Sequence, residues 1–463
     1  MKFFNKNKFF ILYRENKPVA KIEYSLSNNN EDKISGRQVH ITNSKKHELF
    51  IVEKVKVINE NLMPEIYKTN KNMGEDSICT MMSHWLNAER SIPNGRVNIE
   101  KALKKLKIKS VPELLMISNG LSITDRYWYG NNTKSGYLWK ELNFFEHSFS
   151  TDVGRFLTGE YFCEDTDKLN FHDPSITTNG RQDKMWLISN GKNVLAKQNT
   201  EIEGIGEIYE SINEIIYAKV AEYLNIDFVH YEIGKLNGKN ACFCESFIEN
   251  GEEYISTSHF IKHNFSNEFT YLSFLKTASE IGINSSIANE FLSKLGALTC
   301  ITLNADLNNG NVGFVVKKDE NGNIVNARIA PVFDGGNSMG VYEFAQGKLG
   351  KETFETLKEN LLVRSNIVGK TYYEISSKIG QFEDVNIEKL KDIPNFIKTI
   401  CKGANIDNQL SNKLSELYSE SISNFIKIVV KNRENKAEDI DKYIDSFDVN
   451  NETLSEKEED IEH

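Results

Sequence analysis

The order of hydrophobic patterns between residues 184 and 248 most constrains how this chain can fold. Strand-like apolar runs lie at 185–189, 194–197, 228–233 and 241–248. Between the first two stands Asn190-Gly191, the dipeptide that best adopts the positive backbone angles of a tight hairpin. From Ile208 to Leu224, apolar residues keep the spacing of an amphipathic helix of about four turns. We therefore expect a small antiparallel sheet with one long helix.

Beyond residue 265 the helical period dominates. It is clearest from Leu410 to Val429, where apolar residues keep a spacing of about 3.6 residues. A pair of strands, at 312–316 and 328–333, is embedded in this region. From residue 434 to 463 the side chains are mostly charged or polar, so we expect an acidic tail that is disordered or loosely helical.

The first 155 residues have a different pattern and predict a separate mixed α/β domain. Short strands up to about residue 60 surround a polar turn at Ser27–Asp32, and two short helical faces follow between Ile99 and Ile117. The aromatic-dense stretch from Tyr127 to Phe156 is more typical of packing between domains than of a ligand site. The predicted units are an N-terminal domain at 1–155, a small lobe at about 160–250 and a helical large lobe at about 251–433.

Composition excludes several classes of protein. The 463 residues carry a net charge of -10, which argues against intrinsic binding to nucleic acid or to anionic membranes. The six cysteines show no repeated CxxC spacing, so neither a zinc framework nor a disulfide framework is indicated. No apolar run approaches the length needed to span a bilayer. We expect a cytoplasmic protein.

The residues best suited to chemistry flank the predicted strand pair. Asp306 and Asn311 precede its first strand, and Asp334 follows its second. Phosphoryl transfer requires a carboxylate near the incoming hydroxyl and oxygen ligands that hold Mg²⁺ against the phosphates. Asp306 would be catalytic, positioning or deprotonating the hydroxyl, while Asn311 and Asp334 would bind the metal. Each loop alone could instead be a simple Asn/Asp/Gly turn, but their order across one hairpin favours the catalytic interpretation.

A second polar segment, Thr177 to Lys184, lies immediately before the Asn190-Gly191 hairpin. Its small polar residues and glycine could present backbone N–H groups and hydroxyls to phosphates. Lys197 lies on the apolar second strand of the hairpin, where an inward lysine needs an anionic partner such as an ATP phosphate. A solvent-facing lysine is the alternative.

A helical carboxylate could orient Lys197 as it does in kinases. Three glutamates are candidates: Glu207, Glu210 and Glu214. We favour Glu214, because the neighbouring Ala218 and Ala221 would allow another element to approach closely. The alternative that Glu214 lies on a solvated helix face stays open.

Together these motifs resemble those of the HipA-like serine/threonine kinases, found in bacteria as toxins of toxin–antitoxin pairs and as related stand-alone kinases. Thr177-x-x-Gly180-x-Gln182-Asp183-Lys184 is similar to the family's phosphate loop. Asp306 through Asn311 resembles its D-x-H-x-x-N catalytic loop, and Pro331-Val332-Phe333-Asp334 its metal-binding P-x-Y/F-D motif. The resemblance covers about 160–430 and rests on the joint order of the motifs.

The resemblance implies an α+β, bilobal protein-kinase-like fold that uses ATP and Mg²⁺ to phosphorylate serine or threonine hydroxyls of a protein. It assigns a catalytic role to Asp306 and Lys197. Cofactor binding falls to Thr177, Thr178, Gly180, Gln182, Lys184, Lys197, Glu214, Glu245 and Phe247. Glu245 and Phe247 fall where the family's hinge holds adenine through backbone groups. Thr177 stands where the family usually has an autophosphorylated serine, so the protein itself, at Thr177 or Thr178, is a candidate substrate.

The chain departs from the family at Asn308, which stands in place of the usual histidine and cannot titrate. This favours an alternative function, a nucleotide-binding pseudokinase or protein-interaction scaffold. The first 150 residues do not resemble the N-terminal subdomain of the toxin, so toxicity and an antitoxin partner do not follow from the resemblance. A nucleic-acid-linked regulator would require a local basic groove.

Two other groups carry weaker signals. His259 and His263 lie four residues apart, but no third ligand with suitable spacing accompanies them, so we expect no metal site there. Cys242 and Cys244 would share one face of a strand and are expected to be buried structural thiols.

Overall fold

The structure is a computed structural model. It describes residues 8–27, 48–93, 96, 98–130, 138–163, 165–204, 206–261, 271–304, 306–341, 366–367, 370–371 and 387–434. His263, most of the predicted polar turn at Ser27–Asp32 and the predicted tail beyond Glu434 lie outside these ranges.

The N-terminal unit contains a four-stranded antiparallel sheet in the order β3-β2-β1-β4. Its strands are β1 (Phe9–Arg14), β2 (Lys17–Ser27), β3 (Leu49–Val57) and β4 (Tyr127–Gly130). Because side chains alternate across a strand, Phe10 and Leu12 pack into one hydrophobic cluster while Ile11 and Tyr13 pack into another. Strands β1 and β4 are therefore buried on both faces.

Short helices cover this sheet, as the sequence predicts. They are α1 (Glu65–Asn70), α2 (Glu75–His84), α3 (Ile99–Leu106), α4 (Val111–Ile117), α5 (Trp139–Leu142) and α6 (Asp152–Leu157). Helices α3 and α4 confirm the two predicted helical faces between Ile99 and Ile117. A π-helical turn, Trp85–Glu89, continues directly from α2.

The predicted small sheet is present, with strand order β5-β6-β10-β9. Its strands are β5 (Lys184–Ser189), β6 (Lys192–Gln198), β9 (Tyr231–Leu236) and β10 (Lys239–Glu245), and the short β7 (Glu201–Ile202) and β8 (Gly206–Glu207) pair separately. Asn190 and Gly191 have φ values of 52° and 76°, which confirms the predicted hairpin. The predicted long helix is α7 (Glu210–Tyr223).

Two predicted strands of this lobe have wrong boundaries: the strand predicted at 241–248 ends at Glu245, and the start of the strand predicted at 228–233 is wrong as well. The sequence favours a strand at 228–233, but β9 begins only at Tyr231. The reason is that Phe228 forms a parallel bridge with Val332, a residue far away in the chain. The start of the predicted strand thus joins the large lobe instead of the small sheet.

The rest of the chain is mainly helical, as expected, and contains a sheet of order β11-β12-β13. Its elements are β11 (Glu252–Ser256), α8 (Tyr271–Glu280), α9 (Ser285–Thr302), β12 (Gly313–Lys318), β13 (Ile324–Ile329), β14 (Asn366–Ile367), β15 (Lys370–Thr371), α10 (Ile387–Leu390), α11 (Ile393–Gly403) and α12 (Asn408–Glu434). The predicted strand at 328–333 is wrong over most of its length, because β13 spans Ile324–Ile329 and Val332 instead forms an isolated bridge with Phe228. The α+β fold class is confirmed.

Helix α7 connects the two lobes. Its residues Ile215 and Ala218 pack against Cys242 and Cys244 of the small sheet. The opposite side of the helix, at Ile212, Ile216 and Val220, lies in the large cluster formed with α9 and α12. Packing on both sides explains why nearly the whole helix is buried.

The N-terminal unit packs against both lobes. Its aromatic residues Trp128, Trp139, Phe144 and Phe149 share a cluster with Trp186 of the small sheet, which confirms the predicted packing role of the aromatic stretch. Buried ion pairs join it to the sheet of the large lobe: Arg14 with Glu253, and Glu65 with Lys318. The boundary at residue 155 stays a prediction, since Ile176 also packs into the N-terminal cluster.

None of the helices in the described ranges is long and apolar enough to cross a membrane.

Candidate functional site

The site is organised around a buried lysine. Lys197 Nζ lies 2.6 Å from Glu214 Oε1 and 2.8 Å from Asp334 Oδ1. The Lys197 side chain is 5% exposed and that of Glu214 is 0% exposed, so both alternatives in which these residues face solvent are excluded. The cluster joins a strand and a helix of the small lobe to a loop of the large lobe.

Strand register explains why Lys197 points inward. Lys197 is paired with Cys242 across β6 and β10, so both side chains lie on the face that packs against α7. Ala218, one turn after Glu214, is part of that contact. Its small side chain allows α7 to approach the sheet closely enough for Glu214 to reach the lysine.

Glu214 also holds the loop that carries Asp334. Its Oε2 accepts a hydrogen bond of 2.8 Å from the backbone N–H of Gly335, while Oε1 binds Lys197. A Cβ at Gly335 would lie 2.1 Å from the ring of Tyr217, so glycine is required there for close packing on α7. The carboxylate therefore fixes the lysine and the Asp334 loop at the same time.

Gly335→Ala is expected to destabilise the protein by about 1–3 kcal/mol through overpacking against Tyr217. Gly336→Ala is the matched control, because its nearest contact would be 3.5 Å from the added Cβ. Urea unfolding of both variants checks this. Equal losses in the two variants would show that Tyr217 moves aside.

Charges in the cluster favour the ionised forms of Lys197 and Asp334. Burial alone would raise the pKa of Asp334, but Lys197 and Lys184 lower it to about 2. Burial opposes the charge of Lys197, yet Asp334 and Glu214 together raise its pKa well above the ordinary value. For Glu214, burial raises the pKa and Lys197 partly counters this effect.

The segment from Asp306 to Asn311 forms a loop closed by its own amides. Asn308 Nδ2 donates to the backbone oxygen of Asp306 at 2.9 Å, and Asn311 Nδ2 donates to the same oxygen at 3.0 Å. Asn308 Oδ1 in turn accepts from the N–H of Gly310. The amide of Asn308 thus orders the loop without an imidazole.

Asp306 lies close enough to Asp334 for the two carboxylates to interact. The surrounding protein reduces the hydration of Asp306, although its side chain remains accessible to solvent, and the negative charge of Asp334 adds to this effect. Together they raise the pKa of Asp306 to about 6, against opposing contributions from Asn308, Arg181 and Lys184. A carboxyl with such a pKa can accept a proton near neutral pH.

Asn311 and Asp334 present the oxygen ligands that Mg²⁺ prefers. Asn311 lies near enough to Asp334 to favour its ionised form. No group of three or more His, Cys, Asp or Glu side chains suited to a metal occurs in the described ranges. The donor set fits a Mg²⁺ ion that takes its remaining ligands from nucleotide phosphates and water.

The segment Thr177 to Lys184 lies beside this cluster. Lys184 is buried, and a Cβ on Gly180 would lie 2.3 Å from its Nζ, so the amine sits directly against the loop backbone. Burial and the charge of Lys197 lower the pKa of Lys184 to about 8. Lys184 forms no direct ion pair with another described residue, and the charges of Asp334 and Glu214 offset only part of the effect of burial on its pKa.

The side chains of the other loop residues point elsewhere. Thr177 is buried and donates its hydroxyl proton to the backbone oxygen of Leu121 at 2.7 Å. Thr178 donates to the backbone oxygen of Pro174. Gln182 Nε2 lies 3.5 Å from Glu210 Oε2. Any phosphate contact by Thr177, Thr178 or Gln182 would therefore use their backbone N–H groups.

The predicted adenine hinge lies at the end of β10. The exposed side chain of Glu245 pairs with Lys192 at 2.6 Å, away from the lysine cluster. Phe247 stacks on Phe333, next to Asp334, and its backbone oxygen accepts a hydrogen bond from Arg328. The side chain of Glu245 is thus engaged outside the lysine cluster, so a contact of Glu245 with adenine would use its backbone groups, as the resemblance implies.

Sequence reasoning missed residues that support the two loops from outside. Tyr254 donates its hydroxyl proton to the backbone oxygen of Gly310 at 3.0 Å. Arg96 of the N-terminal unit donates to the backbone oxygens of Thr178 and Gly180. Neither contact follows a periodic pattern in the sequence. Arg181 could have been chosen as a site residue from the sequence, because it lies inside the phosphate-loop motif.

The remaining candidates have structural roles. His259 pairs with Glu89 of the π-helical turn, and the described residues around it form no metal site. Cys242 and Cys244 are buried free thiols, as predicted, and burial raises the pKa of both.

No protein-family model matches the chain, and no curated protein matches it. Among solved structures, it is similar to the Helicobacter pylori proinflammatory kinase CtkA, with 16% identity over 56% of this chain and 95% of that chain, and a TM-score of 0.41. It is also similar to HipA in a Shewanella oneidensis MR-1 toxin–antitoxin complex with HipB and operator DNA, with 11% identity over 92% of this chain and 100% of that chain, and a TM-score of 0.47. At these identities and TM-scores neither likeness assigns an activity, a substrate or a partner to this chain.

Proposed function

We propose that this protein is an ATP- and Mg²⁺-dependent kinase that phosphorylates serine or threonine hydroxyls of a protein. The observation that carries the proposal is the placement of Lys197 between Glu214 and Asp334, at 2.6 Å and 2.8 Å. A lysine held by a helical glutamate beside a metal-binding aspartate is the arrangement that kinases use to bind ATP phosphates.

The cations of the site support phosphate binding. Lys184 and Lys197 lie together in the buried part of the site, and Arg181 extends from the neighbouring loop near Asp306. Burying two lysines near one another is unfavourable unless anions balance them. Glu214 and Asp334 form direct ion pairs with Lys197 and offset the burial of Lys184 only in part, so the triphosphate would supply the direct negative partner of Lys184.

Asp334 and Asn311 would hold Mg²⁺, which on binding offsets the negative charge of the transferring phosphate. Asp306 would accept the proton of the substrate hydroxyl. The hydroxyl oxygen forms a bond to the γ-phosphorus as the bond from that phosphorus to the β–γ bridging oxygen breaks, releasing ADP. With a pKa near 6, Asp306 is largely ionised at pH 7 and ready to take this proton.

The partner of this reaction would be a protein. The N-terminal unit, which contacts both lobes, would recruit that substrate or regulate its access. Self-phosphorylation at Thr177 would first require its hydroxyl to leave the backbone oxygen of Leu121. Thr178 is only partly buried and is the more accessible of the two candidate acceptors.

The second candidate function is a pseudokinase or scaffold that binds nucleotide without transferring phosphate. Asn308 favours it, because an amide orders the loop but cannot exchange protons. Asp306 favours the enzyme. Its carboxylate, with a pKa of about 6, would be the group that accepts the proton, so residue 308 does not need to titrate.

Intact-mass spectrometry after incubation with ATP and Mg²⁺ separates the two functions. We expect the wild type to gain phosphate, and Asp306→Ala to gain none while still binding nucleotide. Peptide mapping would then test Thr177 and Thr178. If neither protein gains mass, alone or with candidate protein substrates, and ATP still raises the melting temperature, the pseudokinase is the correct function.

A further inference from the structure

Arg96 attaches the N-terminal unit to the segment Thr177–Lys184. It lies just before helix α3 and is 2% exposed. Its Nη2 donates to the backbone oxygen of Thr178 at 2.5 Å and to that of Gly180 at 2.9 Å. Its Nε donates to Gly180 as well, at 3.1 Å. A planar guanidinium can hold both carbonyls at once in one geometry, which a lysine cannot do.

Neighbouring contacts hold the same segment. Asn98 Nδ2 donates to Asp183 Oδ2 at 2.5 Å, and Trp186 Nε1 donates to Thr178 Oγ1 at 2.9 Å. Thr177 Oγ1 donates to the backbone oxygen of Leu121. The conformation of the segment is thus set largely by residues of the N-terminal unit and by Trp186, which packs among that unit's aromatic residues.

Because Arg96 fixes the carbonyl groups of Thr178 and Gly180, it also fixes the direction of the N–H groups of the residues that follow them. In a trans peptide the C=O of one residue and the N–H of the next point in opposite directions. The N–H groups of Asn179 and Arg181 therefore point away from Arg96. Within the described ranges neither N–H donates a hydrogen bond, so both are available to an anion.

Burying the charged guanidinium of Arg96 costs free energy. Its Nη1 has no hydrogen-bond partner among the described residues, and Asp183 Oδ1 also lacks one. Burial lowers the pKa of Arg96 to about 10, against the opposing charge of Asp183. Its acceptors among the described residues are backbone oxygens, and the charge of Asp183 offsets only part of the cost of its burial.

We propose that Arg96 is a positioning residue of the nucleotide site, which turns the N–H groups of Asn179 and Arg181 towards the nucleotide phosphates. The inference rests on the proposed function, since it takes the segment to be the phosphate loop. It makes phosphate affinity depend on the N-terminal unit, while adenine and ribose affinity does not depend on it.

The test compares ADP with adenosine in calorimetric binding to the full-length protein. Arg96→Lys keeps the charge and loses the paired hydrogen bonds, so it should weaken ADP binding by about tenfold and leave adenosine binding unchanged. Trp186→Phe removes a different hydrogen bond to the same segment and should change ADP affinity in the same direction. Arg90→Lys is the control away from the segment, because Arg90 is equally buried and binds the backbone oxygens of Gly120 and Tyr127 and the carboxylate of Asp125, all within the N-terminal unit.

A second measurement needs no nucleotide. Arg181 is exposed, so trypsin can cleave after it when the segment moves. Appearance of that cut, followed by mass spectrometry, should be faster in Arg96→Lys than in the wild type or in Arg90→Lys. Unchanged cleavage would overturn the claim that Arg96 holds the loop.

The outcomes separate this inference from the proposed function. Loss of ADP affinity alone, with faster cleavage, supports it. Equal weakening of ADP and adenosine, or wild-type ADP affinity in both Arg96→Lys and Trp186→Phe, overturns it. If the wild type binds neither ADP nor adenosine, the proposed function fails and so does the phosphate role, whereas the cleavage rates still decide whether Arg96 holds the loop.

Discussion

Lys197→Met is expected to lower the free energy of unfolding by about 3–5 kcal/mol, because it leaves a buried carboxylate without its partner. Glu214 is fully buried, and Asp334 would then face it without an intervening cation. Methionine has a similar volume, so packing contributes little to the loss. Urea unfolding at neutral pH measures it.

The loss of stability in Lys197→Met should become smaller as the pH falls. In the variant, burial still raises the pKa of Glu214 above its ordinary value of 4.5, and the opposing lysine is gone. A carboxyl whose pKa is raised by folding binds more protons in the folded state, so stability falls as pH rises through that pKa. The difference between variant and wild type should therefore shrink as the pH falls towards 4.5.

A double variant provides the control. Lys197→Met combined with Glu214→Gln removes the fully buried uncompensated charge, that of Glu214, and keeps an oxygen for the N–H of Gly335. It should be more stable than Lys197→Met alone. A loss below about 1 kcal/mol with no dependence on pH would show instead that the pair behaves as a solvated surface ion pair.

Asp306→Asn should lower the rate of phosphate transfer by about 10²–10⁴-fold, the usual contribution of a proton acceptor, and leave ADP binding unchanged. Asparagine keeps the shape of the side chain but cannot accept the proton. Initial rates with a fixed acceptor, together with calorimetric ADP binding, check both parts.

The wild-type rate should follow the ionisation of Asp306. Reduced hydration and the charge of Asp334 raise its pKa to about 6. Because only the ionised form accepts a proton, the rate should rise roughly tenfold per pH unit below that value and level off above it. A profile that stays flat through this range in the wild type would show that Asp306 only positions the hydroxyl.

Local patterns predicted the elements of the fold well. Asn190-Gly191 requires positive φ angles, and the long apolar period of α12 has few alternatives to a helix. Strand ends were predicted less well, because the end of a strand depends on its pairing partner, which the local sequence does not reveal. The bridge between Phe228 and Val332 moved one such boundary, and no local pattern announces a partner so far away in the chain.

The residues of the site also fall into two groups: those that a local motif predicts and those whose role depends on tertiary packing. Asp306, Asn311 and Asp334 lie in short motifs, and their spacing was enough to place them in one site. The burial of Glu214 could not be read from the helix alone, because it depends on how β6 and β10 pair against α7. Arg96 lies in a different unit from the loop it holds, more than 80 residues away in the chain, and its role follows only from tertiary packing.

The π-helical turn Trp85–Glu89 leads to an expectation about the sequences of related proteins. Such a turn is an α-helix that has gained one residue, and each residue of a helix turns the chain by about 100°. Deleting one residue here would restore the α-helical register and rotate Glu89 away from His259. In relatives of this chain, a gap of one residue at this turn should therefore coincide with the loss of the acid–histidine pair.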